Sequence, residues 1–176
     1  LGDVYKRQAY VTNAFRIAWF KVHEPKAYYT AYFTIRADEF DSDIMCHGKE
    51  KVLNKMKEID LAGNSATTKD KNMYAILELV LEMYERGINF LPMDLYKSHS
   101  TKFIAEEDGI RPPLNSIPGL GTVAAESIVK AREEEPFMCI DDIRMRAKAG
   151  SSVIELLRNA GCLKGMTESN QMSLFA

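Results

Sequence analysis

The sequence has no excess of positive charge and no long hydrophobic run. Twenty-three lysines and arginines stand against 25 aspartates and glutamates, which gives a formal net charge of -2 at pH 7. A chain of this balance has no overall basic surface, so any contact with nucleic acid has to come from local geometry. No stretch of about 18 apolar residues occurs, and the sequence therefore predicts no membrane-spanning helix.

Cysteine and histidine are scarce, with three of each. Cys46, Cys139 and Cys162 are scattered and show no CxxC spacing, which argues against a zinc site or a disulfide framework. We interpret them as reduced thiols with a structural role in a cytosolic protein. The histidines are dispersed, and neither a nucleophile elbow nor a P-loop is present. The sequence therefore predicts no metal site and no bound cofactor for this chain.

The first eight residues have an unusual composition. They read LGDVYKRQ, and the DVYKRQ part resembles a translated transposon adapter of the kind left in sequencing libraries. We therefore expect residues 1–8 to be an artefact and the natural chain to enter at about Ala9, within a longer protein.

Apolar residues repeat at helical spacing through the first half of the chain. Pro25 suits the first turn of a helix, Gly48 weakens the helix predicted around it, and Gly87 lies where a helix-ending glycine is expected. The predicted helices cover residues 9–22, 25 to about 37, 41 or 42 to about 59, and about 68 to 86.

The pattern changes at Ile88. Residues 101–114 predict a small hairpin of two short strands around Glu107, Asp108 and Gly109. Short, punctuated helices follow as far as Leu163, and residues 165–176 read as a flexible tail. The fold class is therefore mainly α, with one small β-hairpin.

The most informative stretch is Pro-Gly-Leu-Gly at residues 118–121, directly before a predicted helix. Glycine permits positive φ and a close backbone approach. The unpaired N–H groups that open the next helix lie at the positive end of its dipole, where a phosphate fits. The alternative is a tight turn between packed helices. The candidate phosphate-binding residues are Ser116, Gly119, Leu120, Gly121, Thr122 and Lys130, with Leu120 pointing inward to lock the turn.

A second, weaker unit follows the first. Residues 113–135 and 140–162 could be two copies of one helix–turn–helix unit, with the second turn at Lys148, Gly150 and Ser151. Basic residues across both units are nearly matched by acids, so contact between amides and phosphates explains binding better than a basic patch does. Whether the second unit binds anything is left open.

The chain ends on a short apolar segment after a polar run. The residues Leu174 and Phe175 could enter an apolar pocket of a partner while Gln171 anchors the other end, and a flexible segment can become ordered on binding. The alternative is that Leu174 and Phe175 pack against their own domain. The candidate partner-binding residues are Gln171, Met172, Ser173, Leu174 and Phe175.

Taken together, residues 9–176 resemble the C-terminal end of a PolC-type bacterial DNA polymerase III alpha subunit. The stretch from Ala9, with its Ala-Tyr and its Phe-Lys-x-His-x-Pro, resembles the end of the fingers domain. Pro-Gly-Leu-Gly resembles the helix–hairpin–helix element that holds duplex DNA without reading its sequence. The closing Gln-x-Ser-Leu-Phe resembles the motif that docks on the sliding clamp.

The resemblance implies a domain order and a set of partners. Residues 9–87 would end the fingers domain, 88–115 would form a β-hairpin connector, 116–164 would bind duplex DNA and 165–176 would carry the clamp motif. The family transfers nucleotides with Mg²⁺ held by palm carboxylates. We expect that palm outside this chain, so this piece should be inactive alone and bind no cofactor. The implied partners are duplex DNA, the sliding clamp (beta subunit) and the rest of the polymerase, in the bacterial cytoplasm at the nucleoid-associated replisome and without a membrane.

Several other residues invite a functional interpretation. The resemblance makes Arg16 and Lys21 candidates for a place near the nucleotide, although a solvated helix face is the alternative that we favour. Aromatic residues at 28, 29, 32 and 33 could stack on bases, but their helical spacing favours a core. Acids at 38–43 are interpreted as helix caps rather than a metal site. A stand-alone, non-enzymatic helix–hairpin–helix protein of DNA repair and a purely structural helical domain are the alternative functions.

Overall fold

The computed structural model describes residues 2–36 and 40–169. The predicted acids at 38 and 39 and the predicted clamp motif at 171–175 lie outside this part. Within it the fold is mainly α, as predicted, with eight α-helices and one two-stranded hairpin. The helices are α1 (Gly2–His23), α2 (Pro25–Ile35), α3 (Ser42–Met45), α4 (Lys49–Ala62), α5 (Thr68–Glu85), α6 (Thr122–Glu134), α7 (Ile140–Arg146) and α8 (Ser151–Asn159).

The prediction of one helix from residue 41 or 42 to about 59 is wrong, because two helices, α3 and α4, occupy this range. Gly48 adopts a φ of 95° between α3 and α4, a left-handed conformation that other residues avoid. Asp41 caps α3, and its Oδ1 accepts hydrogen bonds from the backbone N–H groups of Asp43 (3.0 Å) and Ile44 (3.3 Å). The capping role predicted for the acid at 41 is therefore confirmed.

Helix α5 has the sharpest boundaries in the chain. Thr67 and Asp70 form a capping box, in which each side chain accepts a hydrogen bond from the other residue's backbone N–H. Gly87 follows the helix with a φ of 75°, as the sequence predicted. Between these signals one apolar face of the helix is buried, including Ile76, Leu77 and Val80.

The first hydrophobic core is formed by α2 to α5 and the segment around the hairpin. Its aromatic centre is Phe33, whose ring lies between 5.4 and 5.7 Å from those of Phe40, Phe90 and Phe103. Tyr29 and Phe33 are fully buried, and Tyr28 and Tyr32 pack against the same core. The interpretation of these aromatics as core residues is therefore confirmed.

The β-hairpin connects the two halves of the chain. Strand β1 (Ile104–Glu106) pairs antiparallel with β2 (Gly109–Arg111), and Glu106 is opposite Gly109. A Cβ on Gly109 would lie 2.4 Å from the Asn89 carbonyl oxygen, so only glycine fits there. Buried Arg111 binds both carboxylate oxygens of Glu106, and this hydrogen bonding holds the Glu106 pKa below its usual range.

A second hydrophobic core unites the C-terminal half and includes Leu114, Leu120, Ile128, Ile143 and Leu157. Thr167 and Glu168 accept backbone hydrogen bonds from the start of α7 (both 3.0 Å), and Met166 packs against this core, so the flexible tail predicted from residue 165 is corrected at residues 166–168. Burial raises the pKa of the Cys162 thiol to about 12, which suits a structural thiol. None of the described helices is long and apolar enough to cross a bilayer.

Helix α1 exposes an unusual amount of apolar surface. Tyr10 is 77% and Phe15 is 72% exposed, and Ile17 and Phe20 border an apolar groove between α1 and α2. Exposed apolar faces of this kind mark surfaces that pack against something else or cause self-association.

We expect the isolated chain to self-associate through α1, and the change Tyr10→Ser with Phe15→Ser to reduce this. Analytical ultracentrifugation measures the effect. The free energy of unfolding should stay within about 1 kcal/mol of wild type, since exposed substitutions change it by roughly 0.5 kcal/mol each. Leu61→Ser, at an exposed leucine of α4, is the control and should leave association unchanged. Equal effects of both variants would contradict a role for α1.

Candidate functional site

The Pro-Gly-Leu-Gly stretch forms an exposed hairpin before α6. A single turn of 3-10 helix (Leu114–Ser116) leads into it, and Gly119 adopts a φ of 88°. Leu120 is buried at 3% exposure and its N–H donates to the Ile117 carbonyl (3.0 Å). The structure therefore confirms that Leu120 points inward and locks the turn.

The first turn of α6 has no side-chain cap from the described residues. Gly121 is the N-cap, with φ -69° and ψ 153°, and it has no side chain to offer the amides. Thr122 follows at the surface. Helices α3 and α5, in contrast, are capped by Asp41 and Thr67. The amides at the start of α6 therefore keep their capacity to bind an anion.

A second hairpin between α7 and α8 repeats this backbone. Lys148 has a φ of 51°, Ala149 is buried, and Gly150 is the N-cap of α8 with φ -66° and ψ 165°. Lys148, Ala149 and Gly150 thus correspond to residues 119–121 of the first hairpin. The copies differ in their first element, which is a 3-10 turn before the first hairpin and helix α7 before the second.

Side-chain contacts join the two hairpins. Ser127 on α6 donates its hydroxyl to the Ala147 carbonyl at the second hairpin (2.8 Å). A Cβ added to Gly119 would lie 3.4 Å from a methyl carbon of Leu156 on α8, so the first hairpin lies close to the second unit. The open ends of α6 and α8 therefore belong to one packed body.

Not every predicted site residue can present its side chain. Ser116 is 2% exposed and donates its hydroxyl to the Pro113 carbonyl (2.6 Å), so it contributes to the fold and its side chain cannot bind a phosphate. Leu120 is limited to its backbone for the same reason. The remaining candidates are exposed: Gly119, Gly121, Thr122, Lys130, Lys148, Gly150 and Ser151.

Most arginines near the hairpins are occupied by internal contacts. Arg144 pairs with Asp141 (2.7 Å), and Arg146 pairs with Asp142 (3.2 Å). Arg132 donates to the Leu95 carbonyl, and Arg158 pairs with Glu168. The lysines at 130, 148 and 164 are exposed. Backbone amides and a few lysines are therefore the groups that this surface offers to an anion.

The two residues predicted near the nucleotide lie on α1, against the first core. Arg16 is exposed. Lys21 Nζ is 2.7 Å from a Glu82 carboxylate oxygen and 5.5 Å from the centre of the Tyr28 ring. Lys21 therefore joins α1 to α2 and α5, and the structure does not bring it to the hairpins. Among residues 2–36 and 40–169, no group of three or more His, Cys, Asp or Glu is placed to hold a metal ion.

A pocket that sequence reasoning missed lies beside the first hairpin. Its volume is about 450 Å³, and it is lined by residues 115–122 together with Phe40, Asp41, Lys69 and Met73. Lys69 lies 50 residues before Gly119 in the chain. Only the packing of the first core against the second brings the two together, so no local signal in the sequence could have found it.

Two comparisons with known proteins agree with this architecture. Residues 87–173 match the family model described as a helix-hairpin-helix motif, which is the class that the two hairpins define. Over 167 residues, the chain is 55% identical to "DNA polymerase III PolC-type" of Clostridium perfringens, 51% to that of Caldanaerobacter subterraneus subsp. tengcongensis and 49% to that of Bacillus subtilis. The match covers 95% of this chain and 12% of each relative. The chain is therefore a homologue of one segment of PolC-type DNA polymerase III, and the resemblance found in the sequence is confirmed.

Lys148 has the left-handed conformation that its counterpart Gly119 accepts without strain, so Lys148→Gly should stabilise the fold. We expect the free energy of unfolding to rise by about 1 kcal/mol, the cost of this conformation for a residue with a side chain. Urea denaturation measures it. The matched control is Lys130→Gly within α6, which should lower the same quantity by about 1 kcal/mol. Destabilisation by both variants would contradict strain at Lys148.

Proposed function

We propose that this chain binds the sugar–phosphate backbone of duplex DNA through its two hairpins, as a segment of a DNA-directed DNA polymerase. The observation that carries the proposal is the repeated glycine N-cap. Gly121 and Gly150 open α6 and α8 at the surface with the same backbone conformation and without a side-chain cap. Two such helix starts on one body offer two separate places for phosphates.

The chemistry at each hairpin follows from the missing side chain. Without a Cβ at Gly121 or Gly150, a phosphate oxygen can approach the first amides of the helix closely and accept their hydrogen bonds. Lys148 adds a positive charge at the second hairpin, and Lys130 adds one along α6. These groups contact phosphates rather than bases, so binding should be indifferent to sequence and should weaken with added salt.

The relatives are named as DNA polymerases. We propose the same activity for the protein to which this segment corresponds. Nucleotidyl transfer in such enzymes uses Mg²⁺ held by carboxylates. The role that we propose for this segment within such an enzyme is the binding of DNA, because its two hairpins offer helix-start amides to phosphates.

A stand-alone helix–hairpin–helix protein of DNA repair is the alternative. Such a protein would need only the C-terminal half of this chain, which forms the second core. The 55% identity, however, extends over 167 residues, about twice the span that the helix-hairpin-helix model matches. The first core is thus shared with the polymerases as well, which favours the polymerase.

Replacing Gly121 by alanine tests the phosphate contact. No atom lies within 4 Å of a Cβ built there and φ is -69°, so the fold should tolerate the change. Affinity for a mixed-sequence duplex should fall about tenfold, as expected for losing one hydrogen bond to a charged group. Fluorescence anisotropy measures the affinity, and the thermal midpoint is the control for folding. Unchanged affinity in a folded variant would refute the contact.

We also propose that the C-terminal segment docks on the sliding clamp through Gln171, Ser173, Leu174 and Phe175. These residues lie outside the described part, so the support is their sequence pattern and the polymerase relatives. The proposal places the clamp close to the duplex-binding hairpins, because the chain is held on α7 as far as residue 168.

Leu174→Ala combined with Phe175→Ala should abolish capture of the chain by purified, immobilised clamp, because both apolar side chains are lost. Surface plasmon resonance measures this. Asn170→Ala, just outside the motif, is the matched control and should bind as wild type does. If the double variant is captured normally but unfolds at a lower temperature, the segment packs on its own domain instead.

A further inference from the structure

We propose that Lys69 is a further contact for the DNA backbone, although it belongs to the first core and lies outside both hairpins. The proposal rests on the DNA-binding function proposed above. Lys69 lines the same pocket of about 450 Å³ as the first hairpin, from Asn115 to Thr122. A strand whose phosphate rests on the Gly121 amides would therefore have Lys69 as a neighbour in this pocket.

The position of Lys69 in its helix is unfavourable for stability. It is the second residue of α5, where the positive end of the helix dipole favours acids and opposes a cation. The capping box of Thr67 and Asp70 satisfies the helix start without any help from Lys69. Residues that oppose the stability of their own helix are expected at functional or strained sites.

The other groups in the pocket are compatible with an anion. Among the described residues that line the pocket, Asp41 is the one acid, and its carboxylate already accepts two amide hydrogen bonds from α3. Asn115 lines the same pocket, and its Oδ1 is buried with no hydrogen-bond partner in the described part of the chain. An amide that turns about its last torsion can present its N–H₂ group instead, which is a donor suited to phosphate oxygens.

The consequence is that the DNA backbone would lie across the junction where the two cores pack together. The second core would supply the hairpin amides and the first core the lysine, so the duplex contact extends beyond the helix–hairpin–helix region itself. This assigns residues of α5 to DNA binding, for which the helix-hairpin-helix match over residues 87–173 gives no indication.

Lys69→Gln in the full chain tests the inference, with Lys71→Gln as the matched control. Both lysines are exposed on α5, but only Lys69 lines the pocket. We would measure affinity for a mixed-sequence duplex at several salt concentrations by fluorescence anisotropy. Lys69→Gln should reduce the slope of log affinity against log salt by about 0.9, the value for one phosphate contact. Lys71→Gln should leave the slope unchanged, and Lys69→Gln should also raise the thermal midpoint because it relieves the dipole.

The outcomes separate this inference from the function it rests on. An equal change, or no change, in the slope for the two lysine variants overturns the role of Lys69. If at the same time Gly121→Ala still weakens binding, the hairpin function stands without it. If Lys69→Gln lowers the slope and Gly121→Ala has no effect, DNA binds the first core and the hairpin proposal fails. Absence of duplex binding by the wild-type chain overturns both.

Discussion

The proposed contact with DNA depends on the first turns of α6 and α8, where no side chain caps the backbone amides. A helix start without a cap leaves amides unpaired, and proteins normally satisfy such groups because an unpaired buried amide costs free energy. Here Gly121 and Gly150 keep these amides at the surface, while Leu120 and Ala149 next to them are buried and fix the turns. The second core therefore serves to hold two exposed backbone segments in place.

The way the basic side chains are used supports the same conclusion. Arg111 and Arg132 donate to backbone carbonyls at residues 92 and 95, which fixes the segment before the β-hairpin, and Arg146 donates to the carbonyl at the end of α6. Their planar groups suit such multiple contacts better than a lysine would. Because these arginines are committed to the fold, they are not free to read base edges, which supports the proposed contact with phosphates.

Sequence reasoning succeeded where the signal is local. Periodicity located the long helices, and Gly-Leu-Gly located the first hairpin, because backbone conformation there is decided by neighbouring residues. It missed the break at Gly48, where the apolar pattern continues across a glycine, and it assigned Ser116 to the surface although Pro113 binds its hydroxyl. Lys69 could not be found at all, since its place beside the first hairpin arises from packing between cores that are far apart in sequence.

The contacts between the two hairpins give the pair a property that a single hairpin lacks, because they fix the starts of α6 and α8 relative to each other. Ser127 ties α6 to the second turn, and Leu156 of α8 lies against Gly119, so the two helix starts cannot move independently. In the proposed function, two phosphate contacts on one rigid body would need little ordering when DNA binds, which raises affinity without additional contacts. The proposed hold on duplex DNA of any sequence rests on this linkage of two helix starts.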